Sequence, residues 1–233
     1  MTSNKSFFLL CGFFFILCLM LGSWQVKRFY FKKDLLNRYE NKIHQLPRPF
    51  ALLFNEKNVE FEPVAVRGHY ITDLTVLLQN RMHNGRLGFE VLTPLKIAGS
   101  KKLLLIDRGW VAKPPDSPFP VIHNISEVQN LTGYLKLNQE YQFTLGANVL
   151  SPTQRPIIMQ KIDVTEIKAL TRLDFYPFIV RLDPTMPNGF LREWVVSSAP
   201  PSRHLGYAVQ WFALALVIII AYLFFSYTKE KTS

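Results

Sequence analysis

Cysteine is scarce. The 233-residue chain has two, Cys11 and Cys18, and both lie in one apolar run, residues 7–22. Everything after that run lacks a thiol, which excludes a disulfide framework or a thiolate metal site there. The 11 glycines include no phosphate-cradling loop, and neither a nucleophile elbow nor an HExxH helix is present. Outside the apolar runs the histidines are His44, His69, His83 and His123. No two of them have ligand spacing on a recognisable element, which argues against a zinc site. Acid is the minority charge, 17 Asp and Glu against 27 Lys and Arg. No basic patch interleaved with aromatics accompanies that excess, so nucleic acid is not an expected partner. Internal repeats and low-complexity tracts are also missing. Without an acid–base or redox constellation, the residues do not describe an enzyme.

Apolar sequence is abundant, at 48% of the chain. Residues 205–225 carry no charge. At ~1.5 Å per residue they cross the ~30 Å hydrocarbon core as a helix, the only single segment that satisfies its own backbone in lipid. Pro200 and Pro201 stop whatever precedes this helix, and Ser202 is the expected N-cap. The first run, residues 7–22, follows a short polar lead containing Lys5. It has a signal-peptide length, but Leu21-Gly22-Ser23 is a poor cleavage site. The helical pattern also continues past the membrane edge, with Trp24, Phe31, Leu35, Tyr39 and Ile43 on one face. The expectation is an uncleaved transmembrane helix over residues 6–25 and an amphipathic juxtamembrane helix over 26–46. Lys27, Arg28, Lys32, Lys33, Arg38 and Lys42 of that segment outweigh Asp34 and Glu40, a balance suited to anionic lipid. Cys11, Cys18 and Gly22 form a small-residue face for packing against the last helix. With no organellar transit peptide before residue 7, a bacterial protein is the simplest source.

Pro47 and Pro49 break the helix, and residues 47–201 have the texture of short strands. In residues 63–70, Val64, Val66, Gly68 and Tyr70 share one face, with Arg67 and His69 on the other. Residues 74–81, 89–97, 103–111, 128–137 and 156–161 are further strands, with an Asn/Gly turn at 82–88. The proline-rich residues 113–120 form a loop or lid. Asp163 and Glu166 open a short helix as a capping box. Residues 175–182 read as an edge strand because of Pro177, and residues 194–196 as the last strand. A second transmembrane helix spans residues 204–225. The fold class is an α+β membrane protein, with two transmembrane helices flanking a mainly antiparallel, barrel-like β domain.

On the last helix His204, Ala208, Trp211 and Ala215 recur at spacings of four, three and four, with Tyr207 on their flank. Two readings are open. Small residues let a second helix approach, with the histidine hydrogen-bonding at the interface; this is the simpler reading. Alternatively a flat cofactor sits there, with His204 as an axial haem ligand and Trp211 and Tyr207 beside the ring. Asp107-Arg108, ahead of Gly109 and Trp110, reads as a structural salt bridge more readily than as catalytic. Arg81 and Arg86 beside the Asn/Gly turn suit carboxylates such as propionates, although solvated turn charges explain them more simply.

Four stretches together resemble the Surfeit locus protein 1 family of cytochrome c oxidase assembly factors. They are LGSWQVKRFYFKK, PVAVRGHY, LGFEVLTPL with LLLIDRGWVAK, and RHLGYAVQWFALA, in the family's order and over nearly the whole chain. Trp24, Gln25, Arg28, Gly68, Arg108, Gly109, Trp110 and Tyr207 match motif positions. The resemblance implies a bacterial inner-membrane protein with both termini cytoplasmic and the middle domain periplasmic. A bare positive-inside count, with Lys5, Lys229 and Lys231 near the ends, points the other way, but that rule governs short loops. The resemblance also implies haem a, bound transiently for insertion into oxidase subunit I, with His204 as the iron's axial ligand. Tyr207, Trp211, Arg203, Arg28 and Trp24 complete the implied cofactor-binding set. Subunit I and haem a synthase are the implied partners. The alternative is a scaffold that stabilises subunit I and binds no haem.

Overall fold

The computed structural model describes residues 2–137, 148, 151, 153–197 and 199–232. The chain forms two compact units, one of Met1–Tyr39 with Val195–Ser233 and one of Glu40–Trp194. A single helix, α1 (Thr2–Ile43), opens the chain. It runs through residue 25 without a break, so the spanning run and the basic segment are one rod. On its expected stripe Leu35 is buried, Tyr39 and Ile43 are half-buried, and Trp24 and Phe31 are exposed.

The second unit holds β1 (Arg48–Pro49), α2 (Phe50–Leu53), β2 (Pro63–Tyr70), β3 (Val76–His83), β4 (Arg86–Ile97) and β5 (Leu103–Ala112). It continues with β6 (Gln129–Leu137), β7 (Ile157–Met159), α3 (Val164–Thr171) and β8 (Phe175–Leu182). Five strands close a barrel in the order β2-β6-β8-β5-β4 and back to β2. All of these pairings are antiparallel except β5 with β8. Closure depends on β4, which pairs with β3 through Arg86–Leu92 and with β2 through Leu95–Ile97. β2 and β3 therefore lie end to end along one edge of β4, offset by a 3-10 turn at Thr72–Leu74. β7 adds parallel to β3, and β1 parallel to β2.

The uninterrupted Leu103-Leu104-Leu105-Ile106 run follows from burial on both faces. Leu104 and Ile106 join the barrel interior with Val64, Val66, Leu131 and Val180, and Phe50 and Leu53 of α2 pack into the same cluster. Leu103 and Leu105 point the other way, into a second cluster with Ile167 of α3. The alternation expected for residues 63–70 is present, with Val64, Val66, Gly68 and Tyr70 buried and Arg67 and His69 exposed. Gly68 marks the hand-over of β2 from β6 to β4. A Cβ there would lie 2.4 Å from the Lys96 carbonyl oxygen, so no side chain fits.

Three expectations need correcting. β8 is an interior strand between β5 and β6, not an edge. Pro177 is tolerated because the β5–β8 register shifts between Leu103 and Leu105, and the β6 pairing begins only at Phe178. Residues 194–196 form no strand. Leu191 bridges to Trp110 instead, and the Trp194 indole donates to the Leu182 carbonyl oxygen at 3.0 Å. At α3, Asp163 caps the helix by accepting from the Thr165 and Glu166 N–H groups at 2.9 and 3.2 Å. Glu166 does not complete a capping box; its carboxylate accepts from the Asn148 amide. Residues 113–120 are irregular, as expected, and Phe119 packs on Phe89 with ring centroids 6.1 Å apart.

Leu105→Ala should cost about 2–5 kcal/mol of stability, because it hollows a site closed on all sides. Leu87→Ala, on a half-exposed hairpin position, should stay within about 0.5 kcal/mol. Chemical denaturation of the detergent-solubilised chain measures both, and equal losses would contradict this layering.

Candidate functional site

The first unit pairs α1 with the last helix, α4 (Pro201–Thr232). Both helices are long and apolar enough to cross a membrane. Their large apolar side chains, such as Phe8, Leu9, Met20, Leu216 and Phe224, face outward. That is how a helix pair solvated by lipid is built, and it fits a membrane protein. The buried positions of the two apolar runs are small: Cys18, Gly22, Ala208 and Ala215. At Gly22 an added Cβ would meet the Phe212 ring at 2.6 Å. The helices run antiparallel. Phe7 packs on Phe225, with centroids 4.9 Å apart, near one end, and Gln25 meets His204 towards the other.

The helix begins at Pro201, a favoured first position for proline, so the expected cap Ser202 lies inside the first turn. One turn on, His204 is half-buried with its Nδ1 2.8 Å from Gln25 Oε1. Ala208 and Trp211 continue the same stripe towards α1, buried and half-buried. The other expected site residues are dispersed. Tyr207 is 47% exposed and Trp24 52% exposed. Arg203 is exposed, with its backbone N–H on the Pro200 carbonyl oxygen. Arg28 is exposed and its guanidinium lies 5.7 Å from the Phe31 ring centroid. The fold thus joins His204 to Gln25, a partner that motif reading left without a role. The available signal was the spacing Cys18, Gly22, Gln25, the same four-three step as His204, Ala208, Trp211.

This arrangement fits an iron porphyrin. The contact with the Gln25 amide oxygen engages Nδ1, so Nε2 is the ring nitrogen that would serve a metal. The donor stands at the polar end of an apolar helix pair, with cationic side chains on both helices near that level. Among the described residues, no group of three or more His, Cys, Asp or Glu is placed to hold a metal ion.

The barrel unit has a separate buried polar cluster that sequence reading underestimated. Asp107, 2% exposed, stands opposite Arg181 in the β5–β8 ladder, with Oδ2 3.6 Å from Nε. It also shares a hydrogen bond with Glu90. Burial first, then the Glu90 charge, pushes the Asp107 carboxyl well above its ordinary value. Burial would raise Glu90 too, but the Asp107 hydrogen bond and the Arg181, Arg81 and Lys136 charges outweigh it and hold Glu90 low. Asp107 therefore does not pair with its neighbour Arg108. That side chain, 4% exposed, donates to the Asn188 carbonyl oxygen at 2.8 Å and to Thr93 Oγ1 at 3.2 Å. Its guanidinium lies between the Tyr70 and Phe190 rings, 5.1 and 5.0 Å from their centroids. Gly109 has φ +106°, and a Cβ there would lie 2.4 Å from the Leu191 carbonyl oxygen. Trp110 donates to the Arg81 carbonyl oxygen at 2.9 Å. The Arg-Gly-Trp motif is thereby explained as architecture. It pins the segment after β8 to the barrel wall.

A pair of membrane-length helices joined to a small closed barrel, with a histidine–glutamine contact between the helices, defines a membrane-anchored barrel protein. The sequence model of the SURF1 family matches residues 12–216, and the chain belongs to that family. Similar proteins include a SURF1-like protein of Dictyostelium discoideum, 26% identical over 270 residues that cover 99% of each chain. A SURF1-like protein of Rickettsia bellii is 24% identical, over 89% of this chain and 86% of its own. The cytochrome oxidase assembly protein SHY1 of Saccharomyces cerevisiae is 27% identical, over 60% of this chain and 34% of its own.

The buried carboxyl pair gives a pH prediction. Asp107 binds its proton more tightly when folded, so its contribution is present below the unfolded value of about 3.9 and lost as pH rises through the folded one. Glu90 has the opposite sign, and its contribution is lost as pH falls through its lowered value. In Asp107→Asn the amide still donates to Glu90 but does not titrate. Thermal melts from about pH 4 to pH 8 should therefore decline less with rising pH in Asp107→Asn than in wild type. Parallel curves would show that Asp107 carries no bound proton.

Proposed function

We propose that this protein is an assembly factor for haem-copper cytochrome c oxidase that binds haem a and aids its insertion into subunit I. The observation that carries the reading is His204, held through Nδ1 by Gln25 with Nε2 left over. Family membership and the oxidase-assembly name of the yeast relative supply the context. When bound, haem brings a redox-active iron on a large apolar ring that is insoluble in water. His204 would ligate the iron, and Trp211 shares its stripe. Tyr207 and Trp24 are lipid-side candidates for ring contact, and Arg203 and Arg28 are candidate partners for propionates. A single neutral imidazole would hold the group and still allow hand-over. The role is carriage, not catalysis.

In this reading the helices sit in a bacterial inner membrane, with both termini cytoplasmic and the barrel in the periplasm. The cationic stretch of α1 faces anionic lipid. Subunit I and haem a synthase are the partners. The competing reading is a scaffold for subunit I that binds no haem, and it is favoured by the tight small-residue packing at Ala208 and Ala215.

Co-expression with haem a synthesis, followed by optical spectra of detergent-purified wild type and His204→Ala, separates the two. A reduced haem a band in wild type that is lost in the variant is expected. A band in both moves the ligand elsewhere, and no band in either at good yield supports the scaffold. For topology, alkaline phosphatase fused after Thr153 should be active; an inactive fusion would place the barrel in the cytoplasm.

A further inference from the structure

Gln25 and His204 lie 179 residues apart in sequence, yet their side chains meet at 2.8 Å across the helix pair. Neutral imidazole has one N–H and one lone pair, and the partner on one nitrogen decides which the other carries. Here an amide oxygen faces Nδ1. An oxygen accepts, so Nδ1 carries the proton and Nε2 the lone pair. We infer that Gln25 is a positioning residue that fixes His204 as its Nδ1–H tautomer and presents Nε2 as the donor to a metal centre. The inference deepens the proposed function and rests on it for the identity of the metal centre.

Three observations argue for this assignment. The partner is an uncharged amide, and the atom it turns to the ring is an oxygen, which only accepts. Residues 1–33 and 195–229 contain no Asp or Glu, while Lys27, Arg28 and Arg203 are near in sequence to the pair. These stretches therefore hold no carboxylate that could take the place of the amide as the ring's partner. The contact is also sterically fixed. Gly22, three residues before Gln25, has no room for a Cβ against Phe212, and Ala208, four residues after His204, is buried. Close approach of the helices at these small residues holds the two polar side chains at one level. Groups that hydrogen-bond the other ring nitrogen of a metal-bound histidine act in this way, and their loss lowers metal affinity about 10–100-fold.

The tautomer can be read without haem. Full-length protein labelled with 15N-histidine in detergent, at a pH where the ring is neutral, gives separate ring-nitrogen shifts for the two tautomers. His204→Ala identifies the signal. Wild type should show Nδ1–H, and Gln25→Leu should lose that preference. Gln25→Glu, which keeps an acceptor oxygen, should retain it and guards against a packing defect in the leucine variant. An Nε2–H signal in wild type would mean that the amide is reversed and donates, which overturns the inference. So would an unchanged signal in Gln25→Leu. Haem a loading then tests the site. Gln25→Leu should weaken binding about 10–100-fold and shift the reduction potential opposite in sign to Gln25→Glu. Equal potentials in all three proteins would also overturn the positioning role. A wild type with the Nδ1–H tautomer that takes up no haem at all would refute the proposed function, while the role of Gln25 in fixing the ring would stand.

Discussion

The barrel depends on one constraint: a single edge of β4 must serve two strands in turn. β3 uses its first half and β2 its last three residues. The exchange works only if β2 can leave β6 and come within hydrogen-bonding distance of β4 at the same residue. Gly68 is that residue, paired with Gln129 on one side and Ile97 on the other. Once β2 closes the ring, β5 and β8 have no free edge, and most of their residues are buried. Their sequences are correspondingly apolar, and their buried charges are accommodated: Asp107 pairs with Arg181 across the parallel ladder, and Arg108 lies by the Tyr70 and Phe190 rings.

The helix pair follows a different logic. Lipid gives no hydrophobic drive to bring two apolar helices together, so close packing and a polar contact must do it. Gly22 against Phe212 provides the first and Gln25 with His204 the second. The packing reading of the histidine stripe is therefore present in the structure. Ala208 and Ala215 are packing residues. His204, at the end of the same stripe, meets Gln25 through Nδ1.

The legibility of each element tracked how local its cause was. The alternation in residues 63–70 could be read directly, because the strand period writes burial into the sequence, whereas the leucine run of residues 103–106 read only as a strand. The Asp163 cap was also readable, since a cap acts within three residues. Non-local causes were hidden. β8 carries a proline that normally marks an edge, and only its register against two distant strands shows why it is interior. The Arg-Gly-Trp motif looked like a candidate salt bridge, but Asp107 takes its partner from β8 and Arg108 takes its own from residues 188–190. For the site, the spacing of His204 on its helix was visible, whereas Gln25 needed the fold to bring it near. The matching four-three steps on the two helices were a trace of that pairing.

The start of α4 has a consequence for how the protein meets its solvent. The opening turn of any helix leaves backbone N–H groups that no residue of that helix can accept, and water usually satisfies them. Here Pro201 has no N–H to leave bare, and the N–H of Arg203 is given to the Pro200 carbonyl oxygen. Two of those first-turn donors are thus removed before any solvent is involved. Desolvating this end of the helix costs correspondingly less.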